Sequence, residues 1–338
     1  MALKLKPLRD QTIVITGASS GIGLTTARRA GRAGARLVVA ARNAEALQQL
    51  VHELSSEGCQ AFYVIADVGN PQEVENIARA AIERFGGFDT WINNAGVSIY
   101  GRIEDVPLAD HRRLFDTNFW GVVHGSLAAV RHLKQRGGAL INLGSEVSEV
   151  AIPLQGMYSA SKHAVKGFTD ALRVELQAEN APVSVTLIKP AGIDTMFVPH
   201  AKNYMTREPR LPAPVYSPDV VADAILFAAQ HPRRDIFVGG AARLAASLAH
   251  YAPRLVDRYL SRFMLKQQQR DRPPRARDDN ALHEPGLGLH ERQGRAGMVF
   301  NSSVYTQAAM RPKATLGVLA AVGLTVAAMI RLRRSTAR

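Results

Sequence analysis

Short apolar runs alternate with helically spaced segments along the first 240 residues of the chain. "TIVITG" (12–17), "ARLVVAAR" (35–42), "AFYVIADV" (61–68), "DTWINNAG" (89–96), "GALINLGS" (138–145) and "VSVTLIKPAG" (183–192) are rich in apolar and β-branched residues. Turn-forming or charged residues bound them, and such runs read as strands buried on both faces of a parallel sheet. "DIFVGG" at 235–240 predicts a last strand. Between the runs, Thr25–Ala33, Ala44–Glu57, Pro71–Phe85 and Ser159–Glu179 place apolar residues at helical spacing. The alternation predicts an α/β fold, an open and doubly wound parallel sheet with helices on both faces.

The pattern changes after Gly240. Residues 241–270 mix apolar and arginine positions at helical spacing around Pro253, which predicts two amphipathic helices. They follow the last strand and are open to three uses: a lid over a pocket, a membrane-surface element or a contact between subunits. Residues 271–312 are Pro/Gly-rich and charged, and read as linker or irregular structure. Ala314–Ile330 is uncharged and lies within the apolar segment 313–331, flanked by Arg311, Lys313, Arg331, Arg333 and Arg334, with a basic tail at 332–338. Seventeen helical residues span roughly 25 Å, just short of the ~30 Å hydrocarbon core. Carrying the arginines of "RLRRSTAR" across would also oppose the positive-inside bias. Membrane association through 313–331 is the expectation, with the mode of attachment open.

Charge and composition narrow the classes. The formal net charge is +13, yet residues 1–232 carry 23 Lys+Arg against 22 Asp+Glu, while residues 261–338 carry 14 against 5. The basic character is thus mainly a property of the tail. Its apolar run and lack of interleaved aromatics argue against nucleic acid. The single cysteine, Cys59, excludes an internal disulfide and a multi-cysteine zinc site. The N-terminal stretch is basic without an apolar core, so no secretory signal is read, and the expected location is cytoplasmic, with membrane attachment by the C-terminal segment.

"TGASSGIG" (16–23) lies between the first strand and the first helix. Gly17, Gly21 and Gly23 let the backbone turn tightly and approach a pyrophosphate without a Cβ in the way. The amides that open the helix then favour anions, so Gly17, Ser19, Ser20, Gly21, Ile22 and Gly23 are the candidate phosphate contacts. The second strand ends in Ala41 and Arg42, where an NAD-preferring site usually carries a carboxylate. An arginine there pairs with a 2′-phosphate, which predicts NADP(H) over NAD(H).

Tyr158 and Lys162 are four residues apart, so a helix places them on one face. A nearby ammonium favours phenolate and lowers a tyrosine pKa toward the range of a general acid–base. Ser145 ends the "GALINLGS" strand and can hydrogen-bond a substrate oxygen as charge develops on it. Ser148 lines a pocket or caps the loop. His163, next to Lys162 along the helix, points to another face. His283, Glu284, His290 and Glu291 lack a third ligand type at fixed spacing, so no metal site is expected.

Thr16–Gly23, "NNAG" at 93–96 and Tyr158-x-x-x-Lys162 together resemble the short-chain dehydrogenase/reductase superfamily over roughly residues 10–240. The resemblance implies a Rossmann-type domain over 1–240. It places Asp67 and Val68 at the adenine, Asn94, Ala95 and Gly96 along the cofactor, and Pro190, Ile193 and Thr195 against the nicotinamide. Ala191 stands where the family usually has glycine. Asn118 matches the fourth catalytic member beside Ser145, Tyr158 and Lys162, and Lys162 is also implied to hold the ribose hydroxyls. The implied activity is hydride transfer between NADP(H) and a carbonyl or alcohol of an apolar small molecule, by a homo-oligomer. The alternative is a membrane-associated NADP(H)-binding scaffold or redox sensor without turnover.

Overall fold

The structure is a computed structural model that describes residues 3–294, 297–311 and 315. Apart from Thr315, the apolar segment 313–331 lies outside the described residues, as does the basic tail. Among the described residues no helix is long and apolar enough to cross a membrane.

Seven parallel strands form the central sheet: β1 (Thr12–Thr16), β2 (Arg36–Ala41), β3 (Ala61–Ile65), β4 (Thr90–Asn93), β5 (Gly138–Leu143), β6 (Val183–Pro190) and β7 (Asp235–Val238). Their order is β7-β6-β5-β4-β1-β2-β3, with Ile13 paired to Leu37 on one side and to Thr90 on the other. The sheet needs cover on both faces because successive side chains alternate. Ile13 and Ile15 pack with α1 (Gly21–Arg32), α2 (Ala44–Ser56) and α7 (Pro218–Ala228). Val14 points the other way, into the layer built by α3 (Pro71–Phe85), α5 (Gly121–Arg136) and α6 (Gly156–Ala178). A shorter helix, α4 (Leu108–Phe115), runs into α5 through a wide π-type turn at Asp116–Trp120. Asparagine side chains cap α2 and α3: Asn43 Oδ1 accepts from the Ala46 amide, and Asn70 Oδ1 from the Gln72 amide.

A polar network crosses the middle of this apolar body. Asn93 and Asn142 face each other across β4 and β5, with Asn93 Nδ2 donating to Asn142 Oδ1 at 2.9 Å. Asn142 donates on to Thr169 Oγ1 at 3.0 Å, and Trp91 Nε1 donates to Asn93 Oδ1 at 2.8 Å. Gly125 permits the close approach of α5, since a Cβ there would lie 2.0 Å from Asn93 Oδ1. All these groups are buried, so removing one partner leaves the others short of hydrogen bonds. Asn142→Leu is therefore expected to destabilise the fold by about 1–3 kcal/mol in urea unfolding.

Beyond β7 the chain forms α8 (Gly240–Tyr251) and α9 (Pro253–Tyr259), with Pro253 in the first turn of α9. The stretch 271–312 is mostly irregular, but not featureless: Val299–Phe300 pairs with Val215–Tyr216, and α10 (Val304–Met310) packs back onto the sheet. There the Thr306 hydroxyl accepts from the Gly239 amide at 3.0 Å and donates to the Phe237 carbonyl at 3.4 Å.

Candidate active site

Because all seven strands are parallel, their carboxyl ends share one edge, and the direction of strand order reverses between β1 and β4. Loops leaving those ends diverge there and open a crevice. The candidate residues follow β1 (Gly17–Gly23), β2 (Arg42), β3 (Asp67, Val68), β4 (Asn94–Gly96), β5 (Ser145) and β6 (Ile193, Thr195), or lie on the neighbouring helices.

Tyr158 and Lys162 sit one turn apart on α6, with Lys162 Nζ 5.8 Å from the Tyr158 ring centre and donating to the Leu143 carbonyl at 2.9 Å. The Ser145 hydroxyl accepts from the Val147 amide at 3.3 Å, and Ser145 lines the same cavity as Tyr158. Ser148 Oγ accepts from the Ser145 amide at 3.1 Å, so of its two readings the loop-capping one describes it. His163 is exposed, away from the site. Burial raises the Tyr158 pKa well above its ordinary value; the Ser145 hydrogen bond opposes this and Glu146 reinforces it. Burial also lowers Lys162, to about 8. The expected lowering of the phenol pKa by the lysine is thus reversed here, because withdrawal from water dominates both groups.

Asn118 lies in the wide turn at Asp116–Trp120. Its Oδ1 accepts from the Val97 amide at 2.8 Å, and its Nδ2 donates to the Val97 carbonyl at 2.9 Å and to Ser161 Oγ at 3.2 Å. Gly96 passes between Asn118 and Lys162: a Cβ on it would stand 3.5 Å from Asn118 Oδ1 and 3.8 Å from Lys162 Nζ. Asn118 therefore holds in place the backbone that passes the lysine.

Gly17 and Gly21 adopt φ of 66° and 54°, a region that side chains with a Cβ avoid. At Gly23 a Cβ would lie 2.2 Å from the Gly17 carbonyl oxygen, so the loop can close only around glycine. Asn94 Nδ2 donates to the carbonyls of Thr16 and Gly17, each at 3.0 Å, and binds this loop to β4. A cavity of about 180 Å³ follows the loop past Ser19, Ser20, Arg42, Asp67, Val68 and Ala95. Burial pushes the Asp67 carboxyl up, but Arg113 and the Gly69 amide outweigh it and hold it below its ordinary range. Glycine cradle, adjoining cavity and strand-end arginine together fit a dinucleotide.

A second cavity, of about 640 Å³, adjoins the first: Ile22, Asn94, Gly96 and Thr195 line both. Ser145, Tyr158, Lys162, Pro190 and Ile193 face it. Leu211, Pro212 and Pro214 form part of its wall, and Ala245, Leu248, Leu255 and Val256 of α8 and α9 another part. Of the three uses open to those helices, walling the cavity is thus realised.

One feature is illegible in the sequence. Residues 281–292 lie across the glycine loop as a strap. Leu289 donates its amide to the Ser19 carbonyl at 2.7 Å, and the His290 carbonyl accepts from the Gly21 amide at 2.9 Å. Asn43 Nδ2 donates to the Gly286 carbonyl at 3.0 Å, Arg28 pairs with Glu291, and His283 Nε2 lies 2.8 Å from Asp110 Oδ1. The Arg42 guanidinium donates to the carbonyls of Ala281 at 2.5 Å, His283 at 2.9 Å and Leu282 at 3.4 Å. Both terminal nitrogens of Arg42, expected to face a 2′-phosphate, thus meet neutral carbonyls of the strap, as does one amide expected to face phosphate. His283 and His290 serve as strap contacts, and among the described residues no group of three or more His, Cys, Asp or Glu could hold a metal ion.

This sheet, with its glycine loop at the switch point and Ser, Tyr and Lys gathered beside it, defines a class. Residues 11–204 match the short chain dehydrogenase family, and the chain belongs to that family of oxidoreductases. It is 48% identical to the Uncharacterized oxidoreductase YxnA of Bacillus subtilis (strain 168) over 321 residues, covering 94% of this chain and 90% of that one. Dehydrogenase/reductase SDR family member 7B of Xenopus tropicalis is 32% identical over 277 residues, covering 78% of this chain and 88% of the relative. Among solved structures, a short chain dehydrogenase/reductase from Burkholderia phymatum in complex with NAD superimposes with a TM-score of 0.68 at 27% identity, covering 74% of this chain and 96% of that one. An alcohol dehydrogenase from the archaeon Thermococcus sibiricus, complexed with 5-hydroxy-NADP, gives 0.60 at 29% identity and covers 67% and 95%.

Proposed function

We propose that the protein is an NADP(H)-dependent oxidoreductase that interconverts a carbonyl and an alcohol on an apolar substrate. The observation that carries this reading is the placement of Ser145, Tyr158 and Lys162 along the apolar cavity, beside the junction with the glycine-lined one. The bound dinucleotide supplies the hydride in reduction and takes it in oxidation. Tyr158 gives its phenolic proton to the carbonyl oxygen, and Ser145 donates a hydrogen bond to the same oxygen as charge gathers on it. Burial keeps the phenol protonated, which is the form reduction requires. Lys162 holds the ribose hydroxyls and, once protonated, stabilises the phenolate that Tyr158 leaves behind. Asn118 holds the Val97 backbone next to Gly96, which runs beside Lys162.

The preference for NADP(H) rests on Arg42 and on the lack of a carboxylate at the end of β2. A 2′-phosphate offers Arg42 an anion in place of strap carbonyls, so the strap gives up contacts to Arg42 when it binds. By the same reading, Asp67 and Val68 flank the adenine. Residues 1–240 form the catalytic domain, 241–270 a helical wall, and the protein works as a homo-oligomer. The test is NADPH consumption by the purified protein with a panel of apolar ketones and aldehydes, with NADH in parallel. Turnover favouring NADPH is expected; failure to bind NADPH overturns the reading. Tight binding without turnover across the panel would bring back the scaffold or redox-sensor alternative, which has no use for the four clustered catalytic side chains.

Membrane association of an otherwise cytoplasmic protein is part of the proposal, and one surface supports it within the described residues. Leu244, Tyr251 and Phe263 are exposed along α8 and beyond α9, outside the cavity lining that Leu248, Leu255 and Tyr259 share, and Arg254, Asp257, Arg258 and Arg262 are exposed among them. Such a face suits the headgroup region of an anionic bilayer. Co-sedimentation with vesicles containing phosphatidylglycerol, weakening as salt rises, is the expected result; equal binding to purely zwitterionic vesicles would count against it.

A further inference from the structure

The large cavity contains a carboxyl group that the hydride-transfer chemistry does not use. Among the described residues, Glu146 is the one acidic side chain in its lining, and it directly follows Ser145. Its backbone is fixed at both ends of a short turn, by the Val147 amide on Ser145 Oγ and the Ser145 amide on Ser148 Oγ. Glu146 keeps part of its surface open to the cavity, and no hydrogen bond or ion pair within the described residues engages its carboxyl. Lys189 on β6 is held by Glu149 at 3.0 Å and Asp235 at 3.2 Å, and Lys162 is turned to the Leu143 carbonyl. Burial alone acts on the Glu146 pKa, raising it to about 7, with no hydrogen bond or charge offsetting it. A ligand that fills the cavity strips this carboxyl of its remaining water, and one that supplies a donor replaces what is lost.

We propose that Glu146 is the specificity residue of the cavity, accepting a hydrogen bond from a hydroxyl that the apolar substrate carries close to its reacting carbon. The inference rests on the hydride-transfer reading and deepens it by naming the substrate class, apolar hydroxyketones or the corresponding diols. Three observations fix the placement of the hydroxyl. Consecutive Cα atoms are about 3.8 Å apart, so Glu146 lies within a few bonds of the oxygen that Ser145 is to hold. Glu146 also shares the cavity lining with Ser145 and Tyr158, which keeps it on the wall that carries the reacting groups. Finally, the rest of the wall is mostly apolar and accommodates the hydrocarbon remainder. A site built to pair with a substrate donor discriminates strongly against the analogue that lacks it, because the buried acceptor is then left unpaired.

The test compares 2-dodecanone, 1-hydroxy-2-dodecanone and 1-amino-2-dodecanone as substrates of the full chain with NADPH. At about pH 8, above the raised Glu146 pKa, the wild type is expected to prefer the hydroxyketone over the plain ketone by at least about tenfold in kcat/KM, the worth of one hydrogen bond to a charged acceptor. In Glu146→Ala that ratio is expected to collapse toward one, and Glu146→Gln, which keeps an acceptor oxygen, should retain part of it. A purely structural role would slow both substrates alike and leave the ratio intact, which overturns the proposal. A wild type indifferent to the hydroxyl overturns it too, and preference for the aminoketone would reassign Glu146 to a cation. Calorimetric binding of the same ketones in the presence of NADP+ reads the ratio without chemistry. Selective binding without turnover would thus sink the hydride-transfer reading while sparing the role of Glu146, and unselective binding would do the reverse.

Discussion

Tyr158→Phe is expected to lower kcat by about 10²–10⁴-fold, the usual worth of a positioned general acid–base. The change removes one oxygen and keeps the ring, which packs edge-on against Phe197 with centres 5.2 Å apart. Ser145 still accepts from the Val147 amide, so the loop after β5 holds its shape. The cofactor cavity is likewise unaltered. NADPH affinity should accordingly move far less than kcat. Stopped-flow traces of NADPH fluorescence separate the two quantities. Turnover close to that of the wild type would mean that another group delivers the proton, and the mechanism given for Tyr158 would have to be abandoned.

Arg42→Ala is expected to reduce the preference for NADPH over NADH by about 10–100-fold, since hydrogen bonds to a charged group contribute about 1.5–3 kcal/mol. The ratio between cofactors is the informative quantity. Arg42 also fastens the strap through the carbonyls of Ala281, Leu282 and His283, and loosening the strap touches both cofactors alike. Arg42→Lys keeps a positive charge and loses the planar fork, so it should fall between wild type and alanine. Steady-state KM values for both cofactors in the three proteins decide the matter. An unchanged ratio would leave Arg42 as a fastener of the strap and remove the ground for an NADP(H) preference.

The strands were legible because burial on both faces leaves a run with no polar interruption, as in Ile13 to Ile15 and Leu37 to Ala41. The edge strand β3 is only partly buried, and "AFYVI" was nonetheless readable from its β-branched and aromatic content. The glycine loop and the Tyr–Lys pair were legible because each requires particular residue types at fixed short spacing. The strap was not. Its principal bonds run through carbonyls and amides that any residue carries, to partners some 240 positions away in the sequence, such as Arg42 with Ala281. Glu146 was passed over for a related reason: a glutamate in a loop is ordinarily solvated, and only the closure of α8 and α9 over β5 and β6 makes its surroundings apolar. The reversed effect on Tyr158 has the same origin, since spacing reveals which charges are neighbours but not how much water remains between them.

The Thr306 hydroxyl on β7 bears on how copies of the chain can meet. In a parallel sheet the outermost strand turns half its backbone groups away from its neighbour, and such a free row invites pairing with another molecule. On β7 the carbonyls of Arg234 and Val238 serve β6, whereas the Phe237 carbonyl and the Gly239 amide point outward and are taken by Thr306. The carboxyl end of that margin is thus capped from within the chain. The opposite margin is β3, where Tyr63 and Ile65 are exposed. An assembly using neither margin must dock through its helices.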